Sequence, residues 1–173
     1  ASLNKKAIDT AFELMSIIEN RCTDSDGYLE AFSREWKKSS NEKLSENGVM
    51  AERTMNTLLH VFEGYCGLYE ATRDEKTAVH IKKILRIISD KVYNQKKHRQ
   101  EVFFDLSYNS LIDLHSYGHD IETAWLVDWG CGLLDDKALC KQIAIITDSL
   151  CENVYNLAFA KSSLYNECEN GIV

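Results

Sequence analysis

Apolar positions recur along the chain with the three-to-four-residue period of helices that bury one face. In residues 2–20, Leu3, Ala7, Ala11, Leu14, Met15 and Ile18 follow that spacing, with Ile8, Phe12 and Ile17 beside them, and predict a first helix buried on more than one side. The turn residues Asp24-Ser25-Asp26-Gly27 end this run. Residues 28–36 alternate briefly between apolar and polar, the pattern of a short strand or extended arm. The polar stretch 37–49 predicts the longest loop. Residues 50–71 predict a second helix with an inner stripe of Met55, Leu58, Leu59, Phe62, Cys66 and Tyr69. Thr72-Arg73-Asp74 is a break, and Asp74 suits the N-cap of a third helix over 75–97. That helix would turn Val79, Ile81, Ile84, Leu85, Ile88 and Val92 inward, and its basic end Lys96-Lys97-His98-Arg99 suits a helix C-terminus. Residues 102–106 read as a short apolar strand and 107–118 as a loop. Fourth and fifth helices follow over 119–134 and 136–157, the fifth with Leu139, Ile143, Ile146, Leu150, Val154 and Leu157 inward. The tail 158–173 reads as irregular.

The predicted class is therefore all-α, with short extended excursions. The second and third helices, and the fourth and fifth, are separated by very short turns, so each pair packs antiparallel. Hairpins alternating with excursions suit a solenoid or toroid of helical hairpins. The absence of proline among 173 residues permits long helices.

Length and charge narrow the classes. At 173 residues the chain suits one domain with a core that needs no disulfides. The 27 acidic residues against 20 basic ones give a net charge of −7, which argues against nucleic-acid partners and anionic membranes. The apolar runs are too short for a membrane span. The six cysteines form no C-x-x-C pair, and several fall in apolar helical patterns, where cysteine behaves as a small hydrophobe. With no leader-like apolar stretch at the N-terminus, these features predict reduced thiols and a cytoplasmic chain without cofactor. No Gly-rich phosphate loop, nucleophile elbow or H-E-x-x-H motif is present. His115 and His119 stand four apart, but Tyr117-Gly118 lies between them and no third ligand beyond Glu122 is evident, so no metal is expected.

Two helix faces carry candidate chemistry. His119, Glu122 and Trp125 are spaced three apart at the start of the fourth helix. An imidazole exchanges protons near neutral pH, a carboxylate beside it can orient it or handle a second proton, and an indole offers a flat wall to a sugar ring. The spacing fits equally a capping His119, a solvated Glu122 and a core Trp125. On the second helix Asn56 and His60 share a face, with Glu63 nearby, which a solvated surface would also explain.

Taken together, these segments are similar to a known family. The run Ser116-Tyr117-Gly118-His119-Asp120-Ile121-Glu122-Thr123-Ala124-Trp125 resembles a signature of the cellobiose 2-epimerases, which group with the N-acylglucosamine 2-epimerases. Met55-Asn56-Thr57-Leu58-Leu59-His60, Phe103-Phe104-Asp105 and Gly27-Tyr28-Leu29-Glu30-Ala31-Phe32 resemble further segments of that family in its order. Departures occur at Leu58, where the family usually has histidine, and at Tyr108, where tryptophan is frequent. The resemblance implies an (α/α)6 barrel that inverts C2 of a reducing-end sugar by ring opening and a cis-enediolate. By position it assigns His119 to an acid/base histidine, Glu122 to the carboxylate beside it, Trp125 to the sugar pocket, and Asn56 and His60 to substrate binding. It implies a sugar as partner, a second acid/base histidine outside this chain, and no cofactor. Residues 1–173 would form one incomplete barrel domain, the middle portion of the family's catalytic domain, with self-association through its cut edges. The competing expectations are an N-acyl-hexosamine 2-epimerase or aldose–ketose isomerase of the same fold, and a helical scaffold that binds without turnover.

Overall fold

The computed structural model describes residues 4–39 and 48–173. Five α-helices dominate: α1 (Lys5–Arg21), α2 (Met55–Thr72), α3 (Glu75–Ile87), α4 (Tyr117–Leu133) and α5 (Lys137–Ala158). Two-stranded antiparallel pairs connect them. The strand β1 (Arg53–Thr54) pairs with β4 (Phe103–Phe104), and β2 (Tyr93–Asn94) pairs with β3 (Arg99–Gln100). The strand β5 (Leu114–Ser116) pairs with β8 (Glu167–Glu169), and β6 (Phe159–Ala160) pairs with β7 (Ser163–Leu164).

The helical hairpins form where the turn chemistry demands. Arg73 closes α2 in the left-handed region, at φ 55°, and its guanidinium donates to the Leu133 carbonyl at 3.1 Å. Asp74 then caps α3 by accepting from the Thr77 amide at 2.8 Å, as its position before the apolar stripe suggests. Asp136 does the same for α5, accepting from the Leu139 amide, and Lys82 ties that cap to α3 at 3.0 Å.

The core lies between the hairpins. The stripe Met55, Leu58, Leu59, Phe62, Cys66 and Tyr69 is buried against Ile81, Ile84, Leu85 and Ile88, with Leu126, Val127, Ile143 and Leu150 from the second hairpin. Each such side chain contributes on the order of 1.5–3 kcal/mol by leaving water. Gly130 lets α4 approach α2 closely, because a Cβ there would collide with the Phe62 ring and the Cys66 sulfur.

Several expectations from the pattern are corrected. The first helix has no fully buried residue: α2 and the start of α3 cover one face, so Met15 and Ile18 are half covered and Leu14 is exposed. Val79 and Leu157 are exposed as well. Of the two forms expected for residues 28–36, the strand is absent and the arm is present, shaped by isolated bridges Thr23–Tyr28 and Phe32–Lys38 and held at buried Tyr28. Much of the expected loop 37–49 lies outside the described residues. The second helix starts at Met55, since Arg53–Thr54 pairs with β4 instead. The third gives way to a π turn over Ile88–Val92, and the basic run sits in and beside the β2–β3 turn. There the Asn94 side chain accepts from the Lys96 and Lys97 amides, a local bond that competes with helix. Lys97 and Arg99 are drawn to Glu101 and Asp113. The fourth helix begins two residues early, at Tyr117. The tail is ordered, because β8 finds its partner β5 about fifty residues back in sequence, a pairing with no local trace.

Candidate functional site

A cavity of about 700 Å³ opens where the N-terminal ends of α2 and α4 meet the short strands. That is within the range of pockets for small ligands. One side is Asn56, from the first turn of α2, with Thr54 just before it. Val102, Phe103 and Leu114 give apolar surface. Gly118, His119 and Glu122 come from α4, Glu30 from the arm, and Asn166 and Glu167 from the tail. The β5–β8 ladder sets Glu167 opposite Ser116, and the Tyr117 amide donates to the Asn166 carbonyl at 3.0 Å.

The hydrogen bonds around His119 are specific. Ser116 is the N-cap residue of α4, yet its hydroxyl makes no capping bond. It lies 2.7 Å from His119 Nδ1 instead. Giving up a serine cap costs about 1 kcal/mol of helix stability, so a local rule yields here to the placement of the ring. With Nδ1 engaged, Nε2 is the ring nitrogen free to serve a molecule in the cavity. Across the cavity the Thr54 hydroxyl donates to Glu30 Oε2 at 2.7 Å and accepts from the Thr57 amide at 3.1 Å, which fixes the Glu30 carboxylate.

Behind this wall, out of water, Asp120 Oδ2 accepts from His115 Nε2 at 2.8 Å. Asp120 Oδ1 accepts from the Gln100 amide and from Gln100 Nε2, at 3.2 Å and 3.0 Å. A carboxylate in the first turn of a helix is also favoured by the helix dipole.

The structure brings together three of the five sequence-predicted residues, His119, Glu122 and Asn56. It sets His60 apart: this residue lines an apolar groove between α1 and α2 and pairs with Glu63 at 3.0 Å. Trp125 is 66% exposed, stacks on Trp129 and does not line the cavity. Helix geometry accounts for this. Each step of three residues falls about 60° short of a full turn and rises about 4.5 Å, so two steps from His119 carry Trp125 off the cavity face. Sequence reasoning passed over Glu30, Ser116, Asn166 and Glu167 as site residues. Glu30 and Ser116 lie inside the quoted segments and could have been read from them, whereas Asn166 and Glu167 reach the cavity only through β8. No cluster of three or more metal-ligating side chains occurs among the described residues.

Chemically the cavity offers one imidazole, three carboxylates (Glu30, Glu122 and Glu167) and two amides, Asn56 and Asn166. This is a set suited to a neutral molecule rich in hydroxyls. Carboxylates and amide carbonyls accept from hydroxyls, amide N–H groups donate to them, and an imidazole moves protons.

Comparison with known proteins bears on this arrangement. No family model matches the chain. A cellobiose 2-epimerase of Eubacterium cellulosolvens is 45% identical over 184 aligned positions, covering 97% of this chain and 45% of that relative. One from Ruminococcus albus is 42% identical, covering 96% of this chain and 43% of the relative. Among solved structures, a sugar epimerase from a ruminal bacterium superposes with a TM-score of 0.93 at 41% identity, over 96% of this chain and 43% of its own. The cellobiose 2-epimerase of Bacillus thermoamylovorans gives 0.89 at 36% identity, over 99% of this chain and 44% of its own. The chain thus spans less than half the length of the relatives it matches. Along nearly all of its own length it is a homologue of the cellobiose 2-epimerases, and its helical hairpins are a portion of an (α/α)6 barrel.

Proposed function

We propose that this chain forms one wall of the site of a sugar 2-epimerase of the cellobiose type. The observation that carries the reading is His119, held through Nδ1 at 2.7 Å by Ser116 while its ring lines the same cavity as Asn56 and Glu122. The reaction would open the reducing-end ring, remove the C2 proton to give a cis-enediolate, and return a proton to the opposite face. His119 Nε2 is the proton-transfer group on this wall, Glu122 the carboxylate beside it, and Asn56 the donor to the oxygen on which negative charge develops. Inversion needs a second acid on the other face, and that histidine is assigned to sequence beyond this chain. His60 and Trp125 lie outside this cavity, so the proposal gives them no contact with a sugar bound in it. Residues 1–173 are accordingly read as one incomplete barrel domain of a cytoplasmic enzyme. Self-association through its open sides is supported by the apolar groove between α1 and α2 and is checked by sedimentation.

The test is C2-proton exchange. The chain is incubated with cellobiose in D2O and the reducing-end C2 proton is followed by NMR, with His119→Ala alongside. Exchange with inversion, lost in His119→Ala, supports the full reading, and exchange without inversion supports His119 as a one-sided base. Exchange that survives in His119→Ala rejects its role. Absence of exchange, with cellobiose still bound, favours a binding scaffold over an enzyme for the isolated chain. Exchange at C2 of N-acylglucosamine, or at C1 of fructose, in place of cellobiose favours the neighbouring epimerase or isomerase specificity.

A further inference from the structure

The bond between Ser116 and His119 lies inside a second bond. His115 precedes Ser116 by one residue and Asp120 follows His119 by one, and the outer pair joins at 2.8 Å just as the inner pair does at 2.7 Å. The inner bond faces the cavity. The outer one is buried, with His115 and Asp120 side chains 4% and 2% exposed. Gln100 reaches both, since its Nε2 donates to Asp120 Oδ1 at 3.0 Å and approaches the His119 carbonyl at 3.5 Å. The His115 ring packs on Tyr117 at 4.2 Å, which closes the cluster from the helix side.

Burying a carboxylate is costly unless nearly all its hydrogen-bonding capacity is met, and an apolar pair of the same volume would hold α4 to β3 and β5 as well. What an apolar pair cannot do is fix angle. Three N–H donors on one carboxylate leave the first turn of α4 a single rotation about its axis, and that rotation decides where the His119 ring points.

We propose that Asp120, His115 and Gln100 are positioning residues that orient the His119 imidazole toward the cavity, acting through the first turn of α4 and not by contact with substrate. The inference rests on the reading of His119 as the proton-transfer group, but its test does not depend on turnover.

The test uses the 15N-labelled chain and long-range 1H–15N correlation spectra of the imidazole rings, with His119→Gln to assign the His119 signals. Asp120→Asn and Gln100→Met are compared with Glu19→Gln, which alters a half-buried, histidine-bound carboxylate outside the cavity lining. The expected result is that His119 ring nitrogens, distinct from those of a free histidine in the parent chain, collapse toward the averaged free pattern in Asp120→Asn and Gln100→Met. In Glu19→Gln they stay in place, even if its melting temperature falls by more. An unchanged His119 pattern in folded Asp120→Asn or Gln100→Met overturns the proposal and leaves the cluster a structural staple. If Asp120→Asn does not fold, Gln100→Met decides, since it keeps the side-chain volume and removes one donor. C2-proton exchange that survives in His119→Ala would sink the epimerase reading while leaving this result standing, so the two fail separately.

Discussion

Two carboxylates, the half-buried Glu19 and the buried Asp120, each bind a histidine, yet they do different things. Glu19 Oε1 accepts from the Tyr28 hydroxyl at 2.6 Å and the Tyr65 hydroxyl at 2.8 Å, and Oε2 meets His80 Nδ1 at 3.1 Å. It joins α1, the arm, α2 and α3, with partners that are side chains on separate elements, so it fastens pieces together. Asp120 accepts from a backbone amide, a side-chain amide and an imidazole, all within the strands beside its own helix. It fixes the angle of one turn next to a cavity. The difference shows that a carboxylate–histidine pair says little by itself about function; what matters is whether its neighbours face a cavity or another element.

The comparison yields an ordered set of expected outcomes. The largest is Asp120→Ala, which leaves His115 and the Gln100 donors buried without an acceptor. It should cost about 3–5 kcal/mol, read as a fall in the denaturation midpoint. Glu19→Ala should cost less, about 1–3 kcal/mol, because Glu19 is closer to water than Asp120. If the two costs reverse, the division between staple and positioning cluster fails.

A pH measurement sharpens the Glu19 side. Burial, then the hydrogen bond each donates to Glu19, pushes the Tyr28 and Tyr65 phenols above their ordinary value of 10.0. The unfolded chain releases those protons near pH 10 while the folded chain keeps them. Stability from this source is therefore complete below that value and falls as pH rises past it. Urea midpoints should drop on the alkaline side, and Tyr65→Phe should flatten the drop. A slope equal in both proteins would remove Tyr65 from the account.

Smaller effects separate the helix caps. Asp74→Ala should cost about 1 kcal/mol, since Asp74 caps α3 through the Thr77 amide. Ser116→Ala should cost only a few tenths, because the Ser116 hydroxyl serves His119 and caps nothing. It should nevertheless disturb the His119 ring signals, which Asp74→Ala leaves alone. Equal thermal losses in the two variants would mean that Ser116 is an ordinary cap.

The local pattern carried much of the fold because helices are local objects. The stripe from Met55 to Tyr69 and the Asp74 cap are written in spacings of three and four residues, and both hold in the structure. Where partners come from far along the chain, the same reasoning failed. The first helix looks buried on more than one side from its apolar count, but α2 and the start of α3 cover one face and leave no residue fully buried. The basic run after α3 looks like a helix end, but Asn94, Glu101 and Asp113 pull it into a turn. Arg53 is another such case: it falls within the predicted second helix, yet it lies buried in β1, with two bonds to Asp24 and one each to the Tyr28 and Leu106 carbonyls.

The candidate site divides along the same line. The helices, the hairpin turns, the segment holding His119 and Glu122, and the resemblance to sugar epimerases are legible along the chain, because each depends on residues a few positions apart. Which of those residues share a cavity is set by the packing of distant segments. Glu122 stays on it and Trp125 rotates off it, while Asn56 faces it and His60 does not. Glu30 and Glu167 arrive from more than 130 positions apart, through an arm and a strand whose pairing no local pattern encodes. The physical reason is that helix formation is governed by bonds between near neighbours, whereas a cavity wall depends on how distant segments pack, and packing is set by the whole chain at once.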